Sequence, residues 1–216
     1  MAIDSDKLRE LRELTGAGMM DCKKALEQSG GNRERAIEVL KKLGYERADK
    51  LVGKEAKAGR IEAYIHSTDS AKGRIGAMVE LTCQTDFVAK HPEFEELVKD
   101  VCLQVVGLKP SVISREDLPK ELVESERKKY EAEIKGKPPE ILAKIVEGKL
   151  EKNLYVQECL LDQGFVNEQK FKGKVVDLLK QKSAKFGENI AVRRFARFEV
   201  NSSTQVCDTV KKSEAK

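Results

Sequence analysis

Apolar residues recur at helical spacing through the first part of the chain, and strand-like alternation follows further along. In residues 4–44, apolar positions three and four apart predict three short helices, separated by glycine-rich stretches at 15–18 and 29–31. Asn32 is a suitable N-cap for the third helix, and Gly44 predicts its end. A unit this small has little core, so we expect it to be compact but only modestly stable alone.

Alternating apolar and polar residues predict a β-hairpin, with strands over 60–67 and 74–83 joined by a polar turn. On the first strand, one face carries Ile61, Ala63 and Ile65. A helix is expected to begin at Pro92, because proline suits the first helical position and disfavours a helical conformation in the residue before it. The buried stripe of that helix is predicted to be Phe94, Leu97, Val98, Val101 and Val105.

The second half of the chain predicts three more helices and a last strand. The helices cover 118–134, 138–150 and 175–186, and the strand covers 190–200. The helix over 118–134 is highly charged, with a thin apolar seam formed by Leu118, Leu122, Tyr130 and Ile134. Two adjacent strands, then helices and a final strand, predict a small three-stranded antiparallel sheet packed with helices. This is an α+β fold.

These elements predict four segments along the chain. Residues 1–45 form a three-helix domain, and residues 46–59, rich in Lys, Ala and Gly, form a connector. Residues 60–200 form an α+β core domain that includes the charged helices of 118–152. The polar tail, 201–216, is expected to be flexible.

Charged residues make up 36% of the 216 residues, above the roughly one quarter typical of globular proteins. Hydrophobic residues make up 40%, which is enough for a core and argues against disorder throughout. Lys and Arg total 41 against 37 for Asp and Glu, so the net charge is only +4. This balance does not favour direct binding of nucleic acid or of an anionic membrane.

The five cysteines are widely spaced and include no Cys-x-x-Cys pair. This pattern predicts reduced thiols in a reducing compartment, and neither a disulfide framework nor a zinc site. No apolar signal segment opens the sequence, and no apolar run approaches the length of a membrane span. We therefore expect a cytoplasmic protein, although a processed organelle protein would have the same pattern.

No motif for bond chemistry stands out. The sequence contains no Gly-x-x-x-x-Gly-Lys-Ser/Thr phosphate loop and no Gly-x-Ser-x-Gly nucleophile motif. Residues 16–18 lack the third glycine and the preceding strand of a dinucleotide loop, so a turn between helices is the better interpretation. His66 and His91, the two histidines, have no second ligand at a metal-like spacing. We predict no enzyme activity, no cofactor and no metal site.

Two longer motifs are more specific. Residues 11–26 read LRELTGAGMMDCKKAL, and residues 83–90 read CQTDFVAK. Both are similar to the two signatures of the elongation factor Ts family, in the expected order and separation, and the likeness covers most of residues 4–200. The resemblance implies that the N-terminal domain is of the ubiquitin-associated type. It also implies a guanine-nucleotide exchange factor that binds elongation factor Tu, both GDP-bound and nucleotide-free.

The resemblance assigns contacts with Tu to two groups of residues outside the second motif. Arg12, Met19 and Met20 match positions by which the N-terminal domain grips the G domain, and Phe186 with Gly187 matches a further contact before the last strand. Two consecutive methionines beside a glycine-rich turn also suit an adaptable apolar surface. For Met19, a role in the core remains equally open.

The second motif implies the mechanism. Thr85, Asp86, Phe87 and Val88 match the element that disturbs the Mg²⁺ and phosphate site of Tu, so that factor and GDP weaken each other's binding. The residues alone leave structural roles open. Asp86 is also suited to cap a helix, and Phe87 is also suited to pack against the helix that begins at Pro92.

The chain resembles short members of the family, with one hairpin-plus-strand set where longer members carry a duplicated core subdomain. A homodimer would supply the missing surface and cover the sheet edges, and it would place Cys207 of the tail near its symmetry mate. A rival interpretation is an RNA- or ribosome-binding accessory protein, suggested by Arg193, Arg194 and Arg197 on one strand. A receptor for a ubiquitin-like modifier is a second rival, but it leaves residues 85–88 unexplained.

Overall fold

The computed structural model describes residues 5–68, 71–134, 138–202 and 205–208. The chain divides into two compact units. Unit 1 comprises the residues up to Ala56 together with Leu179–Ile190, and unit 2 comprises Lys57–Leu178 together with the residues from Ala191 onward. Parts of the predicted hairpin turn and of the predicted tail lie outside the described residues, namely 69–70, 203–204 and 209–216.

In the N-terminal part of unit 1, three helices bring their apolar faces together in one cluster. Helix α1 spans Ser5–Thr15, α2 spans Met19–Gln28 and α3 spans Arg33–Leu51. As predicted, Asn32 is the N-cap of α3, and its side chain accepts a hydrogen bond from the backbone nitrogen of Arg35 at 2.9 Å. The buried cluster consists of Leu11, Cys22, Ala25, Leu26, Ala36 and Leu40.

The predicted end of the third helix at Gly44 is wrong, because α3 continues to Leu51 and occupies the first part of the predicted connector. Tertiary contacts within unit 1 hold this extension. Lys180 pairs with Asp49 at 2.7 Å, and its ammonium lies 5.9 Å from the centroid of the Tyr45 ring. Such contacts outweigh the low helix propensity of glycine, and a single-sequence pattern does not contain them.

Unit 2 is built on a four-stranded antiparallel sheet in the order β1-β2-β3-β4, so the fold is α+β. Strand β1 spans Ala58–Thr68, β2 spans Ala71–Cys83, β3 spans Ala191–Glu199 and β4 spans Gln205–Asp208. The first three strands were predicted. The fourth corrects the three-stranded expectation, because part of the predicted tail pairs with β3 along its edge.

One face of this sheet is covered by helix α5, Pro92–Leu108, which contacts β1 and β2. Its predicted stripe of Phe94, Leu97, Val98, Val101 and Val105 is confirmed as buried. The sheet contributes Val79, Leu81, Val192 and Phe195 to the same core. His91 lies outside the helix as its N-cap, in agreement with the effect of Pro92 on the preceding residue.

The charged segment forms α6, Lys120–Glu133, and α7, Pro139–Leu150, followed by a π-helical turn at Glu151–Tyr155 and the short helix α8, Val156–Glu158. Leu118 and Tyr130 of the predicted seam are buried, whereas Leu122 is exposed. Helix α9, Val175–Phe186, has the predicted bounds.

An ion-pair network links residues before and after the charged helices α6 and α7. Arg115 forms a bidentate ion pair with Asp162, in which Nε donates to Oδ2 at 2.7 Å and Nη2 donates to Oδ1. It also pairs with Glu151 at 2.7 Å. Lys174 bridges the same two carboxylates, Glu151 at 2.8 Å and Asp162 at 3.3 Å. The hydrogen bonds from Arg115 hold the pKa of Asp162 below its usual range. Two cationic side chains thus neutralise two carboxylates, of which Asp162 is buried.

Candidate partner-binding surfaces

The Thr85–Val88 segment presents an aromatic ring to solvent between β2 and α5. Helix α4 is a single turn, Asp86–Ala89. Its Val88 and Ala89 side chains turn inward and are buried, and this leaves Phe87 on the outer side, 90% exposed. Burying such a ring is worth about 1.5–3 kcal/mol, so its exposure marks a site that a partner is suited to cover.

Hydrogen bonds at both ends fix the backbone that carries this ring. The Thr85 hydroxyl accepts from the backbone nitrogen of Val88 at 3.5 Å, and the Thr85 carbonyl accepts from the backbone nitrogen of Ala89 at 3.2 Å. At the strand end, the Cys83 thiol donates to the Thr85 carbonyl at 3.3 Å. The exposed ring is therefore carried by a short backbone segment that hydrogen bonds hold in place.

The structure also decides the two structural alternatives for this motif. Asp86 is not the helix cap, because Thr85 occupies that position and Asp86 is the first residue of the turn, with an exposed carboxylate. A negative charge there is favourable at a helix N-terminus. Packing of Phe87 against α5 is likewise excluded by the exposure of its ring. Both side chains are thus available at the surface.

In unit 1, the second group of candidate residues surrounds the turn between α1 and α2. Met19 is 47% exposed and Met20 is 64% exposed, and Leu14 at the end of α1 is also exposed. The alternative of a core position for Met19 is therefore wrong. Met19 and Arg12 both line a groove of about 520 Å³ whose other lining residues are Ser5, Leu8, Arg9 and Glu13.

An ion pair between helices holds α2 in place. The guanidinium of Arg47 on α3 donates to both carboxylate oxygens of Asp21, each at 2.6 Å. This hydrogen bonding lowers the pKa of Asp21 below its ordinary value. Because Asp21 lies directly after Met20, the pair fixes the part of α2 that presents both methionines.

Phe186 and Gly187 lie at the end of α9, in the same unit as Arg12, Met19 and Met20. Gly187 has a φ of +71°, a conformation that favours glycine at a helix end. Ser183 holds the turn, because its carbonyl accepts from Gly187 at 2.9 Å and its hydroxyl accepts from the backbone nitrogen of Ile190 at 3.1 Å. The structure therefore places two of the three candidate groups in unit 1 and Thr85–Val88 in unit 2.

Sequence reasoning missed a further surface, the sheet face opposite α5, because alternation placed its apolar residues on one face of a strand without indicating whether that face is covered. Ile61 and Ile65 of β1 are exposed, and Gly76 lies directly opposite Ile65. A Cβ at Gly76 would come within 2.5 Å of the Ile65 side chain, so glycine there lets Ile65 lie across the neighbouring strand. We call this surface the open sheet face; its large apolar members are Ile61, Ile65, Met78, Phe198 and Val206, each more than half exposed.

The three arginines behind the nucleic-acid interpretation do not form a common basic surface. Arg193 and Arg194 pair with Glu80 at 2.8 Å and 2.6 Å, whereas Arg197 points to the α5 side and is buried. Burial raises the pKa of Glu80, but hydrogen bonds from Arg194 and Arg193 outweigh this effect and hold the pKa below its usual value.

Comparisons with known proteins agree with the two sequence motifs. The family model described as Elongation factor TS matches residues 5–172. A protein of Thermodesulfovibrio yellowstonii named Elongation factor Ts is 50% identical over 94% of this chain and 98% of its own length. Proteins of the same name from Thermotoga petrophila and Carboxydothermus hydrogenoformans are each 48% identical, over 93% and 92% of this chain and 97% and 89% of their own lengths. Among the described residues, no helix has the length and apolar character needed to cross a membrane. The chain belongs to the elongation factor Ts family.

Proposed function

We propose that this chain is a guanine-nucleotide exchange factor that binds elongation factor Tu and promotes the release of GDP, without catalysing a covalent reaction. The main observation behind the proposal is the exposure of the Phe87 ring, 90%, on a backbone segment held by hydrogen bonds. An isolated aromatic ring in solvent is unfavourable unless a partner buries it. The family resemblance supplies the partner, and we expect the two to meet in the cytoplasm.

The mechanism rests on differential binding. Insertion of Phe87 into an apolar pocket of Tu contributes about 1.5–3 kcal/mol, provided that the pocket opens only when the Mg²⁺ and phosphate site is distorted. Asp86, whose carboxylate is exposed beside the ring, competes for hydrogen bonds near the metal. Thermodynamic linkage then requires that GDP and the factor weaken each other equally, and binding of GTP displaces the factor.

In this proposal, unit 1 provides much of the binding to Tu. Its three helices form a domain of the ubiquitin-associated type, and the groove lined by Arg12 and Met19, with Met20 beside it, receives a helix of the G domain of Tu. Methionine suits this role because its flexible thioether adapts to an irregular surface. Phe186 and Gly187 add a further contact from the same unit.

The test is the release of labelled GDP from purified Tu, with and without this chain. We expect release to accelerate with the concentration of the chain and to saturate, while the chain itself neither binds nor hydrolyses GDP. Release that is unchanged at a large excess of a folded chain would refute the proposal.

RNA or ribosome binding is the alternative function. Its support is weaker, since Glu80 neutralises Arg193 and Arg194, and Arg197 is buried. If RNA were the partner, binding would be useful in low salt and would fall steeply as salt rises. Capture of RNA without acceleration of GDP release would favour this alternative.

We further propose that two copies of the chain pair through the open sheet face. Contiguous exposed apolar areas of this kind mark interaction surfaces, and two sheets pack well face to face. Glu80 and Arg194, which lie beside the face, already pair with each other at 2.6 Å. A partner therefore does not need complementary charges there. A second copy offers the same apolar surface and fits a twofold interface.

The proposed dimer does not involve Cys207. This residue lies in β4 opposite Phe195, on the side of the sheet that faces α5, and it is buried. The sequence-based expectation that it lies in a mobile tail is therefore wrong, and its burial argues against a contact with its symmetry mate. Pairing depends on apolar side chains such as Phe198 and Val206.

A further inference from the structure

The sulfur atoms of this protein divide into two classes by exposure. All five cysteines are free thiols and all are buried. Every methionine in the described part of the chain is instead exposed, Met19 and Met20 in unit 1 and Met78 on the open sheet face. Thioethers, and not thiols, are the sulfur groups that meet a dissolved oxidant first.

Burial keeps the thiols away from solvent, and for three of them it also disfavours the reactive thiolate. Oxidation requires the thiolate, and burial raises the pKa of Cys102 to about 11 and that of Cys159 to about 12. Burial likewise raises the pKa of Cys22, which lies on α2 close to the methionine pair and donates to the carbonyl of Ala17 at 3.7 Å. These thiols stay protonated at neutral pH. A thioether has no proton to lose, so its reactivity depends on access alone.

We propose that Met19 and Met20 form an oxidation-sensitive site through which peroxides weaken the binding of the chain to its GTPase, an inference that rests on the proposed exchange function. The two residues open α2, and Met19 lines a groove together with Leu8 and Arg12. One modification therefore changes the surface that unit 1 presents.

The chemistry is a two-electron oxygen transfer. The thioether sulfur of methionine attacks one oxygen of hydrogen peroxide, an S–O bond forms and the O–O bond breaks. The sulfur is oxidised to the sulfoxide, and the peroxide is reduced to water. Methionine sulfoxide reductases reverse the step with two electrons from thiols, and they release the oxygen as water.

The sulfoxide disturbs binding because it is polar and chiral where the thioether is apolar and flexible. Met20 is 64% exposed and Met19 47%, so the fold itself loses little when they are oxidised. A partner that buries them would have to desolvate two S–O dipoles. We expect the concentration of chain needed for half-maximal GDP release to rise about tenfold or more.

The experiment treats the full-length chain with hydrogen peroxide, removes the oxidant, and only then adds Tu loaded with labelled GDP. Peptide mass spectrometry maps the added oxygen, and thiol titration after unfolding counts the intact cysteines. We expect oxygen on Met19 and Met20, and also on Met78, which is 51% exposed and remains in the double variant described below as an internal control. All five thiols should stay intact, and exchange should return after treatment with methionine sulfoxide reductases. Circular dichroism verifies that the treated chain remains folded.

A double variant, Met19→Leu with Met20→Leu, tests the position of the effect. Each protein is compared with its own untreated rate, and the ratio for the variant is expected to stay near one. Two results would overturn the proposal: consumption of thiols before methionines, or unchanged exchange after full conversion of both residues to sulfoxide. Failure of the untreated chain to accelerate GDP release would refute the exchange function instead, and the oxygen map would still decide whether this pair is the oxidation site.

Discussion

The carboxylate of Asp21 faces the guanidinium of Arg47 across the interface of α2 and α3, with two hydrogen bonds of 2.6 Å each. The pair joins the helix that presents Met19 and Met20 to the longest helix of unit 1. Because hydrogen bonding to Arg47 lowers the folded-state pKa of Asp21, the contribution of the pair to stability depends on pH.

We expect Asp21→Asn to lower the free energy of unfolding by about 0.5–1 kcal/mol at neutral pH, since the Arg47 side chain is 55% exposed and solvent screens the pair. The contribution is present above the unfolded-state pKa of Asp, about 3.9, and it is lost as the pH falls through the lowered folded-state pKa. Thermal unfolding of both proteins between pH 7 and pH 2 measures this.

The difference in unfolding midpoint between wild type and variant should shrink as the medium becomes acidic. Asp49→Asn is the comparison, because the carboxylate that pairs with Lys180 at 2.7 Å is 57% exposed, against 16% for Asp21, so we expect a smaller change of the midpoint at every pH. A midpoint difference for Asp21→Asn that stays constant over this pH range would contradict the assignment.

Phe87→Ala is expected to reduce stimulated GDP release while leaving the fold intact. The ring is 90% exposed, so its loss should change the free energy of unfolding by less than about 0.5 kcal/mol. If the ring inserts into Tu, loss of about 1.5–3 kcal/mol lowers the stimulated rate roughly ten- to one-hundred-fold. Stopped-flow release of a fluorescent GDP analogue measures the rate.

Leu108→Ala provides the control for this variant, since it removes an exposed apolar side chain from the same unit, outside the proposed surfaces. Its stimulated rate should equal that of the wild type. If Phe87→Ala exchanges nucleotide as fast as Leu108→Ala at equal concentration, the insertion mechanism is incorrect.

Strong local signals in the sequence predicted most of the fold. Pro92 marks the start of α5 because its ring fixes the backbone. The helical periodicity of residues 175–186 predicted α9 with the bounds that the structure shows. Strand β4 was missed because four residues are too few for a period, and only pairing with β3 makes them a strand. The extension of α3 depends on Lys180, distant in sequence, and no local pattern contains that contact.

The candidate site was predicted less completely, since exposure of an apolar residue is not a property of its sequence window. Thr85 and Asp86 are both good capping residues, and the sequence does not indicate which of them is the cap; in the structure it is Thr85. The exposure of the face with Ile61 and Ile65 was not predicted, because alternation does not indicate which side of a sheet is covered.

Arg197 allows a prediction about the core of unit 2. Its side chain is 3% exposed, and its Nη1 donates to Glu199 at 2.9 Å. Within the described residues, Nε and Nη2 make no hydrogen bond. Burying a cation with incomplete hydrogen bonding costs several kcal/mol, so Arg197→Met should raise the free energy of unfolding by about 1–4 kcal/mol.

Urea unfolding at neutral pH measures this gain. Arg194→Met is the matched control, because Arg194 is on the same strand but exposed, and loss of its pair with Glu80 should cost no more than about 1 kcal/mol. A lower stability for Arg197→Met would show that the buried guanidinium is satisfied in solution, for example by ordered water.

The last prediction concerns assembly through the open sheet face. Light scattering under reducing conditions should give about twice the chain mass of 24.2 kDa for the wild type. Phe198→Glu should give 24.2 kDa, because a charge cannot be buried unpaired between two apolar sheets, whereas it is readily solvated in a monomer. Val52→Glu, at the C-cap of α3 in unit 1, replaces an even more exposed apolar residue outside this face and should leave the mass of the wild type unchanged. A wild-type mass of 24.2 kDa at tens of micromolar would remove the dimer proposal, and because Phe87 lies outside the face, the exchange function would stand without it.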